Sequence, residues 1–229
     1  MKLATKQETT MTNEPEVSKP GIPKIEKFIS LAAAERAIYI DFEGFTDQSP
    51  ALLGILIDDQ FEQVVLDTRL QQAAEAKYLR VVSLDDIINE LLNRASVEKR
   101  QIIAYTQHEK TVVFRFADID LTGPYRDARL IAMRWRRRPF ETGNTDRTLK
   151  NYLKAIGFVR GTYLGDRLST TRLGEVIKML DERKSYDDLT AVKKAKWTKL
   201  LSHNRIDCEG MKALVLYTLY ALDSRKQTS

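Results

Sequence analysis

Ile38-Tyr39-Ile40-Asp41-Phe42-Glu43-Gly44 is the stretch on which the reading of the fold turns. In an extended strand successive side chains alternate between faces. Ile40 and Phe42 therefore project to one side, and Tyr39, Asp41 and Glu43 to the other. Two carboxylates on the same face of an apolar strand repel each other unless a cation lies between them. A divalent ion held by oxygen relieves that repulsion, and Mg2+ or Mn2+ typically binds one or two carboxylates together with a substrate phosphate.

Working outward, Ala51 to Ile57 and Gln63 to Leu66 are further apolar segments, set off by Ser49-Pro50 and Asp58-Asp59-Gln60. With the first stretch they predict an antiparallel three-strand meander. Leu84, Ile87, Ile88, Leu91 and Leu92 recur at helical spacing behind Ser83, an N-cap residue. A short strand follows at residues 102–105, then a helix carrying Val112, Val113 and Phe116. Gly123-Pro124 makes a turn before residues 125–131, which read either as an edge strand or as a helix start. The rest is helical: Leu149 to Ile156 ended by Gly157, Leu173 to Leu180, and Ala191 to Leu222. Strands early and helices late predict a mixed α/β fold, a central mixed sheet flanked by helices with a helical C-terminal half. Residues 1–30, poor in large apolar groups, read as a flexible tail, 31–224 as one domain and 225–229 as a short tail.

The 37 Lys and Arg residues outnumber the 32 Asp and Glu residues, giving a net charge of +5 and a balance that favours a polyanionic partner. A single cysteine, Cys208, excludes an internal disulfide and argues against a zinc site, which fits a reducing, cytoplasmic setting. No run approaches the roughly 20 apolar residues of a membrane span, so no membrane partner is expected.

Four carboxylates stand out: Asp41 and Glu43 on the first strand, Glu109 at a strand-to-helix junction, and Asp207 in the last helix. The chain has only two histidines. His203 is four residues before Asp207 and thus on the same helix face, where an imidazole can hold or deprotonate a water. His108, next to Glu109, reads as a surface or substrate-facing residue. Glu209 reads as structural or solvated. The densest basic run, Arg134-Trp135-Arg136-Arg137-Arg138, has an aromatic inside it and is a candidate for gripping a phosphate backbone or stacking a base, with Gly143-Asn144 nearby for flexibility. Lys193, Lys194, Lys196 and Lys199 read as the solvated side of the last helix.

These residues resemble the motifs of the RNase H-like DEDD 3′–5′ exonuclease superfamily. Tyr39-Ile40-Asp41-Phe42-Glu43-Gly44 is similar to its first motif, and Asp207 to the aspartate of its last. The nearest likeness is to the RNase H-like domain of predicted RecB-associated nucleases, the RNase H 2 group. Tyr105 followed by Glu109-Lys110 resembles its second motif, and His203-Asn204-Arg205-Ile206-Asp207-Cys208-Glu209 its third. Thr148-Leu149-Lys150-Asn151-Tyr152 and Ile156-Gly157-Phe158 are similar to its Ser-Leu-Lys helix and the ending of that helix. The resemblance implies an RNase H-like fold and hydrolysis of phosphodiester bonds with two Mg2+ or Mn2+ ions. Asp41 would bridge both, with Glu43, Glu109 and Asp207 completing the shells, and His203 would orient the attacking water. A single-stranded nucleic-acid end is the implied partner, met by Tyr105 and the basic run. Two positions depart from the pattern: His203 replaces the Tyr found four residues before the last Asp, and Glu109 stands where Asp is usual. Both departures suit an alternative, a nucleic-acid-binding or scaffold module that keeps the fold without turnover.

Overall fold

The structure is a computed structural model that describes residues 29–140, 146–159, 161, 169–183 and 185–227. The expected tail lies outside the described residues up to position 28, as do Gly143 and Asn144. Strand β1 (Ile38–Gly44) is central in a six-stranded sheet. It pairs antiparallel with β2 (Pro50–Ile57), which pairs antiparallel with β3 (Gln60–Val65), forming the expected meander. On its other edge β1 runs parallel to β5 (Ile102–Ala104), which runs parallel to β6 (Tyr125–Asp127). The short strand β4 (Arg80–Val81) adds in parallel to β3, so the order is β4-β3-β2-β1-β5-β6. The fold is therefore mixed α/β.

Helices cover both faces. Ile38, Ile40 and Phe42 of β1, with Leu53 and Ile55 of β2, pack beneath α3 (Leu84–Val97) and α4 (His108–Ala117). Ser83 caps α3 by accepting from the Asp86 N–H at 3.1 Å. Tyr39, Leu56 and Ile103 face the opposite way, toward α1 (Leu31–Glu35), α5 (Ala128–Trp135) and α8 (Ala191–Gln227). Along the same face, α2 (Gln71–Glu75) and α7 (Ser169–Arg183) close over Leu52 and Val65, and α6 (Leu149–Ala155) packs Tyr152 and Leu153 against Leu214. With both faces covered, Ala51–Ile57 is buried throughout, which is why β2 is a near-continuous apolar run.

Several expectations are refined. Residues 125–131 are both edge strand and helix: β6 ends at Asp127, whose carboxylate caps α5 by accepting from the Leu130 N–H at 2.9 Å. Helix α6 ends at Ala155, and Gly157 supplies a positive φ of 75° just beyond it. Ile29 and Ser30 belong to the folded part, Ser30 capping α1, and α8 continues to Gln227 through most of the presumed C-terminal tail. Lys193 and Lys196 are not wholly solvated, because both pair with Glu175 of α7. Among the described residues no helix is long and apolar enough to cross a membrane.

Candidate active site

The parallel register Ile38↔Ile102 and Tyr39↔Ile103 carries β1 beyond the carboxyl end of β5. Asp41 and Glu43 thus sit at the carboxyl edge of the parallel strands, where open α/β sheets gather their chemistry. Glu109 comes to the same edge from the first turn of α4 and is 6% exposed. Asp207 arrives from above on α8. The four carboxylates, drawn from three distant parts of the chain, converge. Asp41 is held well above the ordinary carboxylate range, first by burial and then by the charges of Glu43, Asp207 and Glu109, with the Asn204 amide opposing. Burial likewise raises Glu109 to about 7. Its Oε2 is 3.4 Å from the Thr106 N–H and 3.5 Å from the Tyr125 hydroxyl, which itself donates to the Thr106 carbonyl.

His203, 9% exposed, occupies the middle of this group. Its Nε2 is 3.4 Å from Asp207 Oδ2 and its Nδ1 3.4 Å from Glu43 Oε1, while the Ser169 hydroxyl, at the start of α7, lies 2.8 Å from Nδ1. A proton on Nε2 faces Asp207 and leaves Nδ1 to accept from Ser169. The all-oxygen donor set suits a hard divalent cation. Among the described residues, however, no three His, Cys, Asp or Glu side chains are gathered in a form that holds an ion. An ion shared by Glu43 and Asp207 would need the space that the imidazole fills. Beside Glu43 a cavity of about 180 Å³ opens between Gly44, Gln48, His108 and Thr170. His108 is exposed and lines this opening. Glu209 is held by Arg205 one turn away, at 2.7 Å.

Asn204 is a site residue that the motif reading gave no role. It is fully buried. Its Nδ2 donates to the Asp41 carbonyl at 2.8 Å and to Asp41 Oδ2 at 2.9 Å, and its Oδ1 accepts from Gln63 at 2.8 Å. Asp41, Gly54 and Gln63 form one cross-strand row, and the amide lies over the glycine. A Cβ at position 54 would stand 2.3 Å from Asn204 Oδ1. A lone glycine inside the apolar run Leu52-Leu53-Gly54-Ile55-Leu56 is the signal for such a close approach.

The expected substrate contacts fare differently. Tyr105 is tied into the structure, its hydroxyl donating to the Arg147 carbonyl. Trp135 is buried, with Tyr217 edge-on at 4.9 Å and the Arg136 guanidinium 5.1 Å from its ring centroid, so its faces are not open to stack a base. Arg136 also donates to the Pro139 carbonyl, while Arg134, Arg137 and Arg138 are exposed. Tyr217 is ten residues beyond Asp207, which sets this basic surface about 15 Å along α8 from the carboxylates. No protein-family model matches the chain, and no curated protein matches it.

Proposed function

We propose that the chain is a metal-dependent nuclease with an RNase H-like fold of the DEDD type, hydrolysing phosphodiester bonds as a 3′–5′ exonuclease on DNA or RNA. The observation that carries this reading is the convergence of Asp41, Glu43, Glu109 and Asp207 at one sheet edge. A carboxyl held above its ordinary range by burial and by three neighbouring carboxylates, as Asp41 is, is unfavourable for stability alone, and a divalent cation relieves it. Two Mg2+ or Mn2+ ions bound there would supply Lewis acidity and a nucleophile at neutral pH. Within the chain, Asn204 fixes Asp41, Ser169 fixes the imidazole ring, and Nδ1 of His203, the nitrogen that accepts from Ser169, would take the proton of an attacking water that displaces or is relayed by that hydroxyl. The cavity beside Glu43 gives a strand end its approach.

A second reading, a nucleic-acid-binding or scaffold module without turnover, is favoured by one observation: His203 itself fills the gap between Glu43 and Asp207. The deciding experiment incubates the protein with 3′- and 5′-labelled single- and double-stranded oligonucleotides in Mg2+ or Mn2+, with a chelator control. Stepwise shortening that needs metal and disappears in Asp41→Ala supports the nuclease. Binding with no cleavage under any of these conditions refutes it in favour of the module.

A further inference from the structure

Two arginines are buried to the same degree, Arg100 at 8% exposure and Arg172 at 7%. They are treated in opposite ways. Arg100 forms two parallel bonds to Asp58, at 2.8 and 2.6 Å, pairs with Glu98 and donates to the Arg36 carbonyl. Arg172 has none of this: its Nη1 is shut off from solvent with no hydrogen-bond partner, and among the described residues no ion pair engages it. The acidic residue one turn further on, Glu175, is already taken by Lys193 and Lys196. A buried guanidinium is always charged and is strongly unfavourable unless an anion meets it.

Its position says which anion. Arg172 is three residues after Ser169 on α7, hence on the same helix face, and helical side chains lean toward the N-terminus. Ser169 contacts His203, and Thr170 donates to the Gly44 carbonyl and lines the cavity beside Glu43. The first turn of α7 is therefore pressed against the carboxylate cluster. Four converging carboxylates repel a phosphate backbone, and a guanidinium beside them offsets that repulsion. We propose that Arg172 is a phosphodiester-binding residue, its guanidinium taking the non-bridging oxygens of a backbone phosphate next to the bond presented to the carboxylates. The inference rests on the nuclease reading of that cluster.

The test uses the full chain in an Asp41→Asn background, with a labelled single-stranded oligonucleotide as probe and its neutral methylphosphonate counterpart as control. Arg172→Met keeps the aliphatic stem and removes the charge. It is expected to weaken phosphodiester binding about tenfold and to lower the slope of log affinity against log salt by about one, while leaving the weak binding of the neutral probe unchanged. Arg172→Lys should keep the slope and lose part of the affinity, since it retains charge without the fork. Because the unliganded site strains the fold, Arg172→Met without oligonucleotide should melt at a higher temperature than the parent. A variant that melts lower or fails to fold, or one whose affinity and salt slope match the parent, overturns the assignment. Parallel cleavage assays with Mg2+ or Mn2+ separate the two claims. Wild-type cleavage that Arg172→Met reproduces in kcat and KM refutes the phosphate site alone. Loss of binding in Arg172→Met, with no cleavage by wild type, upholds the phosphate site and refutes the nuclease.

Discussion

Replacing Gly54 by Ala tests how the site is held. The new methyl would lie 2.3 Å from Asn204 Oδ1, 2.9 Å from Cγ and 3.0 Å from Nδ2, inside contact distance of the whole amide. The amide has nowhere to go: it is fully buried on α8 and fixed by three hydrogen bonds. Displacing it breaks two bonds between neutral groups, each contributing about 1 kcal/mol, and one to the Asp41 carboxylate contributing about 2 kcal/mol. Gly54→Ala should therefore destabilise the fold by about 4 kcal/mol, near the upper end for a single substitution. Asn204→Ala forfeits the same bonds and should lose a similar amount. The double variant is decisive, because the methyl at 54 then enters space the amide has left. Its loss should be no greater than either single loss, a coupling of about 3 to 4 kcal/mol. Urea unfolding of the four proteins measures this cycle. Losses that add to within about 0.5 kcal/mol would mean that the glycine and the amide act independently, and the latch would be refuted.

Other perturbations probe the charges. Asp41→Ala should abolish metal-dependent hydrolysis while oligonucleotide affinity, read by fluorescence anisotropy, stays within a few-fold, because basic residues supply most of the binding. Glu109 holds its proton up to about pH 7 in the fold against 4.5 ordinarily, so the folded state binds more protons than the unfolded chain between those values. Stability without metal should then be fully present below pH 4.5 and fall by up to about 3 kcal/mol as pH rises through 7; a urea midpoint in chelator that rises from pH 5 to 8 would contradict this. Mn2+ should restore the midpoint at pH 8 far more than at pH 5. His203→Ala should lower turnover by about 10²–10⁴ whereas His203→Tyr retains it, and equal rates for all three proteins would make the imidazole a bystander.

Much of the fold was legible because local pattern and tertiary role agree. The alternation in Ile38–Glu43 set which side chains face α3 and which face α8, and Ser83 and Gly157 marked helix ends by chemistry that depends on few neighbours. β4 escaped notice because two residues have no measurable period, and their strand character comes from pairing with Val64 and Val65. Helices α1 and α2, five residues each, are likewise too short to show a repeat. Trp135 misled for a different reason. An aromatic among four arginines looks solvated from sequence, whereas Tyr217, 82 positions later, covers it.

The same division runs through the site. Asp41 and Glu43 were legible because a carboxylate in an apolar run violates the pattern of its own element, and Asp207 through its helical spacing from His203 and its likeness to a motif. Gln63, Ser169 and Arg172 carry no such mark: each is an ordinary polar residue until α8 and α7 are laid across the sheet, bringing Gln63 to Asn204 and Ser169 to His203 over sequence gaps of 141 and 34 residues. Charged groups set in an apolar element thus declare themselves by local conflict, and the groups that hold them only by contact. Asn204 stands between the two kinds, buried like a core residue at a helical step from Leu200 and Cys208, yet polar. A buried amide on an apolar helix face requires partners. Its three bonds converge on the row Asp41–Gly54–Gln63, so the lone strand glycine and the lone buried amide are two halves of one device.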